Sequence, residues 1–172
     1  MLKSNRESKL KTLEELAVLR TQWAAEGKTV VWTNGCFDLV HAGHVRSLRD
    51  ASALGDILVV GINSDRSVQA IKGAGRPLVG EADRAELLTA LEAVDFVTIF
   101  DEADPIAALA RLRPDIHCKG AEYADGARPL PERETVLAYG GRIFFLPFHA
   151  GLSTSAIIGR ILNSAKANTC AG

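Results

Sequence analysis

The stretch Thr29-Val-Val-Trp-Thr-Asn-Gly-Cys-Phe-Asp-Leu-Val-His-Ala-Gly-His44 decides how the chain folds. Its first five residues are all β-branched or aromatic and stop at Asn34-Gly35, which reads as a buried strand running into a turn. The turn feeds a helix over about Gly43 to Leu54, with Val45, Leu48, Ala51 and Ser52 on one face and Gly55 as its stop. The next run, Ile57-Leu-Val-Val-Gly-Ile62, is apolar on both alternating faces. Strands of that kind lie in parallel sheets covered on both sides by helices.

Working outward, Leu10, Leu13, Leu16, Ala17 and Trp23 recur at helical spacing, and Thr12 with Glu15 fits a capping box, so a helix is expected over Thr12 to Ala25. Downstream, the pattern gives a helix near Asp65 to Ile71, a Gly- and Pro-containing loop Gly73 to Gly80, a helix near Ala82 to Leu91 and a strand Phe96 to Phe100. Pro105 opens a short helix, and a strand near Asp115 to Lys119 follows. A loop with Pro129 and Pro131 leads to a helix ending at Gly140-Gly141, a strand Ile143 to Leu146 and a last helix Ser153 to Leu162. This alternation predicts a single α/β domain: a Rossmann-like, doubly wound sheet of about five parallel strands with helices on both faces. Its expected span is residues 12–162, between a polar N-terminal segment 1–11 and a flexible tail 163–172. Ligands of such sheets bind beyond the carboxyl ends of the strands, at the point where the strand order reverses.

Composition narrows the function. The 172 residues carry 20 Lys plus Arg against 21 Asp plus Glu, a net charge of -1, and 47% are hydrophobic. Neither disorder nor a broad basic surface for nucleic acid fits those totals. No apolar run reaches the roughly 18 to 20 residues that cross a bilayer, and the first eleven residues are not signal-like, so a cytoplasmic protein without a membrane partner is expected. Cys36, Cys118 and Cys170 have no metal-ligand spacing and read as reduced thiols.

The first turn is where chemistry belongs. Gly35 lets the chain turn sharply, Gly43 lets a ligand approach the backbone, and a helix start aims unpaired amides at an anion. His41 and His44 there can both face one pocket and offer ring donors to phosphate oxygens, although either alone has a purely structural reading. Zinc lacks further ligands, so no metal site is expected, and the glycines do not make the Gly-x-Gly-x-x-Gly of a dehydrogenase.

The turn resembles that of the cytidylyltransferase-like nucleotidyltransferase superfamily, His-x-Gly-His preceded by Gly-x-Phe-Asp, in Gly35, Phe37, Asp38, His41, Gly43 and His44. Within it, Thr33 to Asp38, Asn63-Ser-Asp65, Lys72-Gly-Ala-Gly-Arg-Pro77, Asp83-Arg84, Leu91 to Asp95, Lys119-Gly120, Gly140-Gly141 and Ser153-Thr-Ser155 resemble the heptose 1-phosphate adenylyltransferase subfamily. The resemblance covers about Leu10 to Leu162. Two places depart from that pattern: Ala121-Glu122-Tyr123 where Gly-Asp-Tyr is usual, and Ser155-Ala156 where Thr-Asn is usual.

The resemblance implies transfer of an adenylyl group from ATP to heptose 1-phosphate, with Mg²⁺ carried by the nucleotide, in lipopolysaccharide precursor synthesis. It implies catalytic roles for His41, His44, Lys72 and Lys119. Nucleotide contacts would come from Thr33, Asn34, Gly35, Cys36, Phe37, Gly43, His44, Lys119, Gly120, Ser153, Thr154 and Ser155. Sugar-phosphate contacts would come from Asp38, Asn63, Asp65, Lys72, Arg76 and Arg84. Each has a plainer reading. Lys72 and Arg76 could sit on a solvated loop, Lys119 could pair with Asp115, and Arg84 could be held by Asp83 and Glu86. Ser153 to Ser155 could be an ordinary helix cap, and Asp38 could accept local backbone N–H bonds. A homodimer is suggested by the superfamily without being fixed. The alternative functions are a cytidylyltransferase acting on glycerol 3-phosphate or a similar alcohol, and a catalytically silent nucleotide-binding module.

Overall fold

The computed structural model describes residues 9–126, 128–147 and 153–169. Five strands, β1 (Val30–Gly35), β2 (Ile57–Asn63), β3 (Phe96–Phe100), β4 (Ile116–Gly120) and β5 (Arg142–Leu146), form one parallel sheet in the order β3-β2-β1-β4-β5. Around it lie α1 (Leu13–Ala25), α2 (Ala42–Ser52), α3 (Asp65–Lys72), α4 (Glu81–Thr89), α5 (Ile106–Leu112), α6 (Arg133–Ala138) and α7 (Thr154–Thr169). This is the doubly wound α/β sheet expected from the alternation of elements. Its strand order reverses between β1 and β4, whose carboxyl ends are Gly35 and Gly120.

The two faces are sorted by the strands' period of two. On one, Val31, Leu58, Val60, Val97 and Cys118 pack with Leu48 and Ala51 of α2 and Ala85 and Leu88 of α4. On the other, Val30, Trp32, Val59 and Phe100 pack with Leu16 and Trp23 of α1, Leu109 and Leu112 of α5 and Val136 of α6. All seven residues of β2 are buried, as its two-sided apolar run requires. Gly61 is small for a reason: a Cβ there would stand 2.3 Å from the Trp32 indole. The Thr12–Glu15 capping box starts α1, with backbone-to-side-chain bonds of 2.8 and 3.2 Å.

Several boundaries differ by a residue or two from the sequence expectation, and three differences matter for the site or the edges of the domain. Asn34 and Gly35 belong to β1 rather than to the turn. Residues 9–11 attach to the edge strand β3: Leu10 bridges Val97, the Lys11 amide donates to the Val97 carbonyl at 2.9 Å, and Lys9 Nζ donates to the Val94 carbonyl at 2.7 Å. That covers part of an edge which would otherwise offer unpaired backbone groups. The last helix runs on to Thr169 rather than ending at Leu162, since Asn163 to Thr169 contains no Gly or Pro and two alanines favour helix. Residues 1–8 and 170–172, with Cys170, lie outside the described residues. Among those described, no helix is long and apolar enough to cross a membrane.

Candidate functional site

From the end of β1 the chain passes to α2 through a strained turn. Phe37 and Leu39 both adopt left-handed backbone angles, φ 48° and 52°, a conformation that costs a bulky residue about 1–3 kcal/mol. Surrounding contacts hold it. Phe37 is buried, with its ring centroid 5.3 Å from that of His44. Between the two strained residues, the Asp38 carboxylate is buried and accepts from Arg76 Nε at 2.6 Å, from the Leu78 amide at 2.9 Å and from the Val79 amide at 3.0 Å. Its own carbonyl accepts from Thr154 Oγ1 at 2.8 Å. One residue thus ties the turn to the loop after α3 and to the start of α7. Asp38, expected among the sugar-phosphate contacts, is committed to backbone and Arg76. The amides it holds come from a loop forty residues along, not from its own turn.

The head of α2 is a capping box made of two histidines. The Gly43 amide donates to His41 Nδ1 at 3.1 Å, and the His41 amide donates to His44 Nδ1 at 3.3 Å. The two rings stack with centroids 3.9 Å apart. An imidazole whose Nδ1 accepts a hydrogen bond carries its proton on Nε2, so both rings present an Nε2–H donor. Burial lowers the His41 pKa, and burial together with the His41 charge pushes His44 down to about 4. Both rings are therefore neutral donors at pH 7. Because the folded value for His44 lies below 6.5, the unfolded chain binds more protons between pH 6.5 and about 4. Stability from this group is complete above pH 6.5 and is lost as pH falls through that window. A proton NMR titration of the imidazole resonances is expected to show one histidine titrating near 4; a value near 6.5 for all would contradict the buried, capped geometry.

The loop after α3 starts at the helix cap, where the Gly73 amide donates to the Gln69 carbonyl at 2.9 Å, and is held again by Asp38. Lys72 closes the helix, and Gly73 and Gly75 take φ of 91° and 87°, which lets the chain double back. Arg76, Leu78 and Val79 are then pinned by Asp38. Arg84, expected beside the sugar phosphate or in a surface network with Asp83 and Glu86, is instead 0% exposed. Its guanidinium donates to the Cys36 carbonyl, to the Val79 carbonyl at 2.9 Å and to Asp65 Oδ1 at 2.7 Å. It braces the turn against the loop. Asp65 is thereby occupied too, and its amide donates to Glu81 Oε2 at 2.7 Å. Asn63 is buried and donates to Ser67 Oγ and to the Glu102 carbonyl. Asn63, Asp65 and Arg84 thus do not line the cleft.

The cleft lies at the reversal point between β1 and β4, with a volume of about 530 Å³, in the range of small-ligand sites. Its walls bring together Thr33 to Asp38, His41, Gly43 and His44 with Lys72 and Arg76, and with Gly120 and Ser153 to Ser155 opposite. Ser153 Oγ also accepts from the Ala156 amide at 3.1 Å, the plain cap. Lys119 is not part of the wall; its ammonium lies 2.7 Å from Glu132, not from Asp115, which pairs with Arg20. Ser47, Glu122, Leu146 and Pro147 also line the cleft and were not anticipated. Ser47 was findable, one helical turn beyond His44 on the same face. The Cys36 thiol in this wall is pushed up by burial against the pull of Lys72, Arg84 and Arg76, and stays protonated.

Comparison with known proteins agrees with this geometry. The Cytidylyltransferase-like family model matches residues 32–160. The bifunctional protein HldE of Pelobacter propionicus is 48% identical over 159 residues, covering 92% of this chain and 32% of that protein. HldE of Geotalea uraniireducens is likewise 48% identical over 159 residues, covering 90% and 31%. The chain thus spans about a third of the length of these relatives. Among solved structures, a lipopolysaccharide core biosynthesis protein from Thermoplasma volcanium superposes with a TM-score of 0.58 at 25% identity, covering 72% of this chain and 98% of that one. A pantoate-beta-alanine ligase from Francisella tularensis shares the fold alone, at TM-score 0.55 and 11% identity over 80% of this chain and 66% of that one. With a family model that spans most of its length, the chain belongs to the cytidylyltransferase-like family of nucleotidyltransferases.

Proposed function

We propose that the domain is an adenylyltransferase that joins heptose 1-phosphate to the adenylyl group of ATP, giving ADP-heptose and pyrophosphate for lipopolysaccharide precursor synthesis. The observation that carries the chemistry is the stacked His41–His44 pair at the head of α2, inside the cleft at the strand-order reversal. The choice of substrates rests on the sequence resemblance and on the HldE relatives. Mg²⁺ would be carried by ATP, since it commonly travels on phosphates with its waters, and would there neutralise phosphate charge.

A phosphate oxygen of the sugar attacks the α-phosphorus of ATP, forming the new P–O bond while the bond to the pyrophosphate oxygen breaks in line. No covalent intermediate on the protein is needed, so positioning and charge stabilisation carry the rate. His41 and His44 donate Nε2–H bonds to the phosphoryl oxygens as charge accumulates there. Because both are neutral, the positive charge comes from Lys72 and from the amides at the heads of α2 and α7, the Arg76 charge being balanced by Asp38. Lys72, exposed at the end of α3 where the glycine-containing loop begins, is the cation that Asp38 does not hold. Arg76 is fixed by Asp38 and shapes the wall.

Product analysis by mass spectrometry, with ATP and CTP each offered heptose 1-phosphate and glycerol 3-phosphate, tests the reading. ADP-heptose from the first pair alone is the expected result. Turnover confined to CTP with glycerol 3-phosphate would assign the cytidylyltransferase alternative, and nucleotide binding without pyrophosphate release from any pair would assign the silent module.

A further inference from the structure

β4 carries a buried polar cluster on the sheet face covered by α1, α5 and α6. His117 and Lys119 alternate with Ile116 and Cys118, which belong to the opposite apolar face, so both project to this side. Glu132, at the head of α6, is 2% exposed. Its Oε1 lies 2.7 Å from Lys119 Nζ and 3.2 Å from His117 Nε2. Burial would raise this carboxyl, but the hydrogen bonds from His117 and Lys119 outweigh it and hold the pKa at about 2. Burial keeps His117 below its ordinary value despite Glu132. The ion pair is therefore Lys119 with Glu132, and neutral His117 donates to the same carboxylate.

As a means of filling space this cluster is a poor choice, because well-packed apolar residues often replace a buried ion pair at no loss or with a gain in stability. Among the described residues it also leaves His117 Nδ1 without a well-formed hydrogen bond. What it achieves is placement of a cation. Thr33 pairs with Cys118 in the β1–β4 register, so Asn34 stands beside Lys119, and Gly120 follows it in the chain. Asn34 and Gly120 both line the cleft, and the buried Asn34 Oδ1 has no partner among the described residues. The Lys119 ammonium is 5.4 Å from the Tyr123 ring centroid, and its side chain is 14% exposed. Among the described residues it has one face on Glu132 and one on an aromatic ring.

We propose that Glu132 is a positioning residue, backed by His117, that fixes the Lys119 ammonium behind Asn34 and Gly120 so that it meets the nucleotide phosphates from the rear of the cleft. The proposal rests on the nucleotide-transfer reading. Its test is a double-mutant cycle with Glu132→Gln and Lys119→Met, read as ATP and CTP affinity by calorimetry, as KM against kcat, and as melting temperature. Glu132→Gln is expected to weaken ATP binding and raise its KM by about 10-fold, with a smaller change in kcat. Lys119→Met weakens binding at least as much, and the double variant is no weaker than Lys119→Met alone. Glu132→Asp, which keeps the carboxylate, restores part of the affinity and carries the test if Glu132→Gln does not fold.

Losses that multiply in the double variant, or a lower melting temperature with unchanged affinity in the folded protein, would overturn the proposal. So would a wild-type protein that binds neither nucleotide. Coupled loss of nucleotide affinity in a protein that makes no ADP-sugar would sink the adenylyltransferase reading and leave the positioning role standing. ADP-heptose formed by Glu132→Gln at wild-type KM would do the reverse.

Discussion

Replacing His41 or His44 with alanine is expected to lower kcat by about 10²-fold or more while the domain stays folded. A hundredfold loss corresponds to about 2.7 kcal/mol of transition-state stabilisation, in the range measured when one preorganised donor is removed from an oxyanion site. Loss of the cap costs about 1 kcal/mol of stability, and α2 remains held by Leu48 and Ala51 in the core. The two contributions can be separated. His41→Asn keeps a side-chain oxygen that can accept the Gly43 amide, but it has nothing in the place of Nε2. Its melting temperature is expected near that of the wild type and its kcat near that of His41→Ala. Steady-state kinetics and thermal melts on the set decide the matter: wild-type-like turnover in both alanine variants would remove the pair from the mechanism, and recovery of activity in His41→Asn would reduce His41 to a cap.

The fold was legible because periodicity and turn chemistry agree at each element. The two-sided run Ile57 to Ile62 required cover on both faces, and Gly35 at the end of β1 with Gly43 in α2 bracketed the passage from strand to helix. Those are backbone and burial constraints, written locally. The turn, the Lys72–Arg76 loop and the Ser153–Ser155 helix start were likewise readable as parts that meet at the end of the sheet. What the residues could not disclose was which charges are spent on one another. Arg84, Lys119 and Asp38 carry the charges of phosphate and sugar contacts, but their commitments depend on neighbours far along the chain: Val79 and Cys36 for Arg84, Glu132 for Lys119, Leu78 and Val79 for Asp38. A residue type announces what it can bind, whereas burial decides whether it is still free to do so. His117 and Glu132 gave no local signal at all, since each sits in an ordinary strand or helix-start position and acquires its meaning only when β4 and α6 pack together.

Asp38→Ala is expected to be the most damaging single change to stability in the site, lowering it by about 3 kcal/mol. The carboxylate is buried and satisfies two backbone amides and a guanidinium that is itself only partly exposed, 21% for the Arg76 side chain. Its removal leaves all three donors without their acceptor and releases the strained Phe37 and Leu39 backbone that the same contacts hold in place. Asp38→Asn should rescue little, because the amide NH₂ would face donors already converging on that point. Arg76→Ala should cost less, since the Leu78 and Val79 bonds survive it. Burial alone would raise the Asp38 pKa, but the bonds from Leu78, Arg76 and Val79 outweigh burial and keep it below 3.8. The contribution is therefore complete above pH 3.8 and is lost only as pH falls further, through the folded-state value. Chemical denaturation at pH 7 measures the loss, and amide hydrogen exchange locates it: Leu78 and Val79 should exchange much faster in Asp38→Ala than in the wild type. If the variant keeps wild-type stability with slow exchange at both amides, the loop is held by something other than Asp38. If instead the loop is released, Lys72 loses its fixed frame and KM should rise even in the fraction that remains folded. That outcome would show that the Asp38 carboxylate, through its bonds to Arg76, Leu78 and Val79, sets the shape of the cation-bearing wall.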